Sequence, residues 1–297
     1  MIDSSKYINI YINKQKEGLK EATIKRKMQF IRFFFEYLDS KGVNDLTEID
    51  KMMVYNFISS KTWRPQTKSV AQFVFREFFN YMKEENITQF DGYDLFPVVF
   101  TNKRDSILSY FTEDEIKKMI DSIDLSQKCG VRDKCMITLA AHTGLRASDI
   151  IFLKYNEIEW DKNLISKVQR KTNIKIDVPF TNQIKFLLID YLKNHRPAID
   201  SEYIFINTTT NLPFKDAKIL TNIVRSAFIK ANIDAKNKKI GAHSLRHSLA
   251  TNMLKNNTPL SVIKDVLGHT TITTTEKYIS IDIEGLRQMC LEVPNYE

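Results

Sequence analysis

The chain has 297 residues and a formal net charge of +8, from 44 Lys and Arg against 36 Asp and Glu. That length exceeds the usual single domain, so two domains are expected, each long enough to bury a core, and the basic excess, shared about evenly between residues 1–104 and 105–297, suits a polyanionic partner. Three cysteines without paired spacing (Cys129, Cys135, Cys290) argue against a zinc site or a disulfide framework, and the absence of a signal-like N-terminus or a long apolar run argues against secretion and membrane spanning.

Residues 1–87 read as almost wholly helical, in segments near 5–17, 21–40, 47–60 and 65–85. Gly42 closes the second, Thr47 with Asp50 opens the third, and Pro65 opens the fourth. Phe30, Phe33, Phe34, Tyr37 and Leu38 make a broad apolar face on the second helix, the pattern of a bundle core. Thr23, Lys25, Arg26 and Lys27 crowd the start of that helix, and Arg64, Gln66, Thr67 and Lys68 crowd the start of the fourth, where helix N-termini favour phosphate. A solvated surface accounts for the same residues without a partner. Over residues 88–105 the period breaks down around Gly92 and Pro97, which reads as an interdomain linker.

Residues 106–297 open with a capping box, Thr112 with Glu115. The stretch RDKCMITLAAHTGLRASDIIFLKY predicts a buried helix, a tight turn at Gly144, and a new helix from about Arg146. Period-two alternation then predicts three short antiparallel strands, Glu157–Trp160, Leu164–Gln169 and Ile174–Phe180. An amphipathic helix ending at Pro197, a short strand or buried run in YIFIN, and a further long helix supply scaffold.

The segment from Gly241 to Ile279, GAHSLRHSLATNMLKNNTPLSVIKDVLGHTTITTTEKYI, gathers the chemistry. On a helix over its first part, His243, Arg246 and His247 share a face while Leu245, Leu249 and Met253 point elsewhere. Thr258 is placed to cap a second helix with Pro259 at its first position, Gly268 suits the left-handed turn that ends it, and His269 emerges just beyond. Tyr278 follows in a segment too polar to hide its phenol.

The order His243, Arg246, His269, Tyr278 resembles the C-terminal signature of the tyrosine recombinases, the phage integrase family: H-x-x-R, then L-G-H, then a tyrosine. HTGLRASDI resembles that family's T-G-x-R-x-x-E block, with Arg146 as its arginine and Asp149 where glutamate is commoner. The family also carries a lysine in the turn before a strand ending V-P. Counting back from Val178-Pro179 gives Lys171, with Arg170 and Lys175 as rivals. His142 and His195 fit no part of the pattern and read as structural, and so does His247.

The resemblance implies a mainly α fold with a small antiparallel β-sheet: a SAM-like helical core-binding domain over 1–87, the linker over 88–105, and an α+β catalytic domain over 106–297. It makes Thr23, Lys25, Lys27, Arg64, Lys68 and Arg170 candidate DNA contacts. Tyr278 would attack a backbone phosphorus, His243 would take its proton, Arg146 and Arg246 would offset charge on the non-bridging oxygens, and His269 would donate to the phosphate. Lys171 would protonate the departing 5′ oxygen, and Asp149 would brace the site.

No metal or ATP is implied, because a tyrosyl ester conserves the energy of the broken bond. The implied partner is double-stranded DNA with inverted-repeat core sites, a dimer on each site and a homotetramer on two duplexes, exchanging strands through a Holliday junction. The implied setting is the cytoplasm, on the nucleoid and away from membranes, and the helical pattern starts too early for an arm-binding module ahead of it. Past Tyr278, Leu286, Met289, Cys290 and Leu291 form an apolar face that docks on a neighbouring subunit or packs on its own domain. Two other readings are a type IB topoisomerase, which relaxes DNA as a monomer, and a catalytically silent DNA-binding regulator.

Overall fold

The computed structural model of the protein describes residues 3–15, 18–97, 110–236, 238–269, 271 and 275. The chain divides into two compact units, Met1–Lys103 and Arg104–Glu297. In the first, five helices follow in order: α1 (Ser4–Gln15), α2 (Glu21–Ser40), α3 (Lys51–Ser60), α4 (Pro65–Glu84) and the short α5 (Gly92–Leu95).

Apolar residues three and four apart give α2 and α4 their buried stripes, Phe30, Ile31, Phe34, Phe35 and Leu38 against Val74, Phe75, Phe78, Phe79 and Met82. The rings meet edge to face, with Phe34 centred 5.2 Å from Phe57 and 5.4 Å from Phe75. Phe35 is inside, whereas Phe33 and Tyr37 flank the core only partly buried. Helix α3 starts later than its spacing predicts. Asp50 caps it by accepting from the Met53 amide at 2.7 Å, while Thr47 sits in a preceding 3₁₀ turn capped by Asp45.

Residues 88–97, expected as linker, instead belong to the first unit, where Phe90, Leu95 and Phe96 join its core. Gly92 makes this possible: a Cβ there would lie 1.9 Å from the Arg76 carbonyl oxygen, so α5 rests on the backbone of α4. Residues 98–109, the rest of the expected linker with its flank, lie outside the described residues.

In the second unit, α6 (Glu113–Asp121) carries the Thr112–Glu115 capping box, and α7 (Gly130–Thr143) is buried along most of its length. After α8 (Ala147–Ile151) come β1 (Ile158–Glu159), β2 (Leu164–Val168) and β3 (Lys175–Pro179) in one antiparallel sheet, with Ile165 opposite Val178 and Lys167 opposite Ile176. Helix α9 (Asn182–Asp190) is followed by a two-stranded ribbon, β4 (Ile206–Asn207) with β5 (Leu212–Pro213). Helices α10 (Lys218–Lys230), α11 (Ala242–Lys255) and α12 (Leu260–Leu267) complete the fold, which is mainly α with small antiparallel sheets. Thr258 does not cap α12: Pro259 is the capping residue, and the Thr258 amide donates to the Met253 carbonyl at 3.0 Å. Among the described residues no helix is long and apolar enough to cross a membrane.

Candidate active site

Two left-handed glycines position the site. Gly144 ends α7 at φ 64° and Gly268 ends α12 at φ 59°, the backbone form in which a side chain is strained. Both are also crowded: a Cβ at Gly144 would meet Leu249 at 2.9 Å, and one at Gly268 would meet the Gln169 amide nitrogen at 2.6 Å. Each turn leaves helix-terminal carbonyls that need donors. Arg246, on α11 and only 2% exposed, supplies them to both, donating to the Gly144 carbonyl at 2.6 Å and to the Leu267 carbonyl. The turn leading into Arg146 and the turn leading into His269 are thereby tied to one guanidinium.

Arg146 caps the start of α8 and is half-buried. Its guanidinium donates to the Gln169 side-chain oxygen and, at 3.5 Å, to the Gly268 carbonyl. Burial draws its pKa below the ordinary arginine value, and the nearby Asp149 carboxylate acts in the opposite direction. Asp149 is fully buried and accepts from the Arg170 amide at 3.0 Å, which fixes the root of the turn carrying Lys171. Its other oxygen is buried without a hydrogen-bond partner among the described residues. Lys171 is exposed at that hairpin tip. His269 is 8% exposed, with Nδ1 2.8 Å from the Thr275 hydroxyl. His243 is exposed on the first turn of α11, its ring centred 4.2 Å from that of the buried His247. Tyr278 lies outside the described residues.

Arg146, Asp149, Arg246, His269 and the Lys171 hairpin are therefore linked through direct hydrogen bonds or adjacent backbone. Two polar residues that motif reading passed over complete the linkage. Lys167, 3% exposed, donates to the Asp149 carbonyl and to Glu157, each at 2.9 Å. Gln169, fully buried, touches Arg146, Thr172 and Leu267. Their signal lies in the alternation of β2 and the residue that follows it, where Ile165, Lys167 and Gln169 are buried in turn and two of the three are polar. Among the described residues, no three His, Cys, Asp or Glu side chains stand where they could hold a metal. His142 turns its ring back to the Thr138 carbonyl at 3.0 Å, and His195 stands 3.7 Å from Asp190.

The remaining candidates divide. Thr23 and Arg64 are exposed at the starts of α2 and α4, with Lys68 half-buried on the first turn of α4. Lys25 is exposed and pairs with Glu21 at 2.7 Å, and Arg170 stacks its guanidinium on Phe152, 4.1 Å from the ring centre. Lys27 needs correction as a surface contact: it is 7% exposed, with its ammonium 2.6 Å from Glu77. It lies on the same helical stripe as Phe30, Ile31 and Phe34, and its partner is a half-buried carboxylate on α4.

Residues 109–284 match the phage integrase family. The chain is 28% identical over 280 residues to a putative integrase/recombinase of Sinorhizobium fredii, covering 93% of this chain and 68% of that protein. It is 26% identical over 275 residues to the tyrosine recombinase XerD of Listeria monocytogenes, covering 89% of each. Among solved structures, the XerH recombinase in a post-cleavage complex with a palindromic difH substrate superposes with a TM-score of 0.75 at 22% identity, over 97% of this chain and 84% of that one. A lambda integrase dimer bound to a COC′ core site gives 0.70 at 18% identity, over 92% and 94%. The chain belongs to the phage integrase family and is a tyrosine-type site-specific recombinase.

Proposed function

We propose that this protein cleaves and rejoins DNA through a 3′-phosphotyrosyl intermediate at Tyr278. The observation that carries this reading is the double tether of Arg246 to the Gly144 and Leu267 carbonyls, which ties the turn before Arg146 and the turn before His269 to one guanidinium. Arg146, half-buried, and Arg246 are permanently charged, planar donors, and a backbone phosphate is the anion such donors fit. The Tyr278 oxygen attacks phosphorus as His243 takes the phenolic proton, the bond to the 5′ oxygen breaks, and Lys171 gives that oxygen a proton. Arg146 and Arg246 offset charge that grows on the non-bridging oxygens, with His269 donating a further hydrogen bond. Asp149 holds the Lys171 turn through the Arg170 amide. A free 5′ hydroxyl then attacks the tyrosyl ester and reseals the strand, so neither ATP nor a metal ion enters.

Subunits work as a dimer on each inverted-repeat core site and as a tetramer on two duplexes, passing through a Holliday junction, in the cytoplasm on the nucleoid. Residues 1–87 grip the duplex through Thr23, Lys25, Arg64 and Lys68, and residues 106–297 carry the chemistry. The C-terminal tail docks on a neighbouring subunit or packs on its own domain. A 620 Å³ cavity lined by Ile116, Ile120, Ala141, Leu187, Leu249 and Met253 offers an apolar seat suited to the Leu286, Met289 and Leu291 face.

Nicked suicide duplexes, built on sequence that the wild-type chain retains from a random pool, test the reaction. Wild type is expected to form a denaturation-resistant adduct and Tyr278→Phe none, with DNA affinity unchanged. Absence of an adduct on a duplex the protein demonstrably binds would defeat the proposal.

A further inference from the structure

The Gln169 carboxamide is fully buried and makes hydrogen bonds to three different parts of the site. Its oxygen accepts from the Arg146 guanidinium and, at 2.8 Å, from the Thr172 hydroxyl beside Lys171. Its nitrogen donates to the Leu267 carbonyl at 3.3 Å, the same carbonyl that Arg246 holds. These partners favour one orientation of the amide: a flipped group would set its NH2 against the Arg146 guanidinium, which can only donate, and its oxygen against the Leu267 carbonyl. The backbone of Gln169 also closes the hairpin, accepting from the Asn173 amide at 2.9 Å and donating to the Ile174 carbonyl at 2.8 Å. The Cβ-free face of Gly268 makes room for the same amide.

We propose that Gln169 is a positioning residue for the cleavage reaction, fixing the Arg146 guanidinium at the phosphate while registering the Lys171 hairpin against the turn that carries His269. The inference rests on the recombinase reading above. A neutral acceptor is the chemistry the position requires. A carboxylate would orient the guanidinium equally well but would pair with its charge, leaving less to offset the developing charge on the phosphate. An apolar side chain of the same length would release Arg146 to other rotamers and strand the Leu267 carbonyl with one donor fewer.

The test compares wild type, Gln169→Met and Gln169→Glu, all full-length, on suicide duplexes with either an ordinary phosphodiester or a methylphosphonate at the scissile position. Replacing one non-bridging oxygen by methyl removes the charge that Arg146 is there to meet. Both variants are expected to form adduct on the phosphodiester at least about tenfold more slowly than wild type. Duplex affinity is expected to stay within about twofold, and adduct formation on the methylphosphonate within about threefold, since the residue acts on a charge that substrate lacks. Equal slowing on both duplexes, or wild-type rates on the phosphodiester, would overturn the inference; a merely structural role gives the first of these. Should Gln169→Met not fold, Gln169→Glu, which keeps the acceptor and the volume, carries the comparison. A wild-type chain that forms no adduct defeats the recombinase reading instead, and is recognised by that control.

Discussion

At the residue scale, Arg246 and Lys27 show how differently two buried cations are held. Arg246 ends on two backbone carbonyls, so Arg246→Met takes its donor from the Gly144 carbonyl and leaves the Leu267 carbonyl to Gln169 alone; a loss of about 2–4 kcal/mol is expected, measured by the urea midpoint of the full chain. Lys27 ends on Glu77, and Lys27→Met strands that carboxylate; a loss of about 1–3 kcal/mol is expected, largely recovered when Glu77→Leu is added. Non-recovery in the double variant would mean that the aliphatic stem of Lys27, more than its charge, is what the core needs. Arg146, Arg246 and His269, whose turns share hydrogen bonds, each sit in a short word whose spacing is itself the signal. Gln169 and Lys167 sit in no such word. Their meaning comes from the strand phase that turns them inward and from partners far along the chain, Arg146 and Asp149, which no local pattern connects. At Lys27 charge suggests the surface but helical phase points inward: counting three, four and seven residues on lands on Phe30, Ile31 and Phe34.

At the scale of elements, caps and glycine turns were read well where the pattern is local. The Thr112–Glu115 box, Pro65, Gly144 and Gly268 stand as their spacing predicts, whereas Asp50 rather than Thr47 starts α3 and Pro259 rather than Thr258 starts α12. Neighbouring candidates for one cap differ by fractions of a kcal/mol, and tertiary packing chooses between them. Helix α5 is not evident in the sequence because Gly92 and Pro97 look like loop composition, while the contact that seats Gly92 is made by α4. Gly268→Ala is expected to destabilise by at least about 1 kcal/mol from its left-handed backbone alone. Because the new methyl also pushes on Gln169, adduct formation should slow along with it. Glu115 gives a pH test. Burial raises its carboxyl, but the Lys238 ion pair and the Thr112 amide together outweigh that, and the net direction is down. A carboxyl that ionises more readily when folded contributes in full above its unfolded pKa of about 4.3 and loses that contribution as the pH falls through the folded value. Glu115→Gln should therefore melt lower than wild type at pH 7, with the difference closing below about pH 4.

For the whole molecule, the positive charge is expected to express itself in salt dependence more than in fold. Replacing Arg64 or Lys68 by Ala should reduce the slope of log affinity against log salt by about one each, whereas Lys27→Met should leave that slope unchanged, as binding titrations across a salt series would read. The Arg246 tether has a practical consequence for anyone wishing to capture the assembled protein on DNA in a stalled form. Exchanging that arginine would remove reactivity and architecture together, so a silent variant made there would report on misfolding as much as on chemistry. Taking away a single phenolic oxygen at Tyr278 is expected to leave the Arg246 tether in place, and is the cleaner way to halt the proposed reaction with the grip on DNA intact.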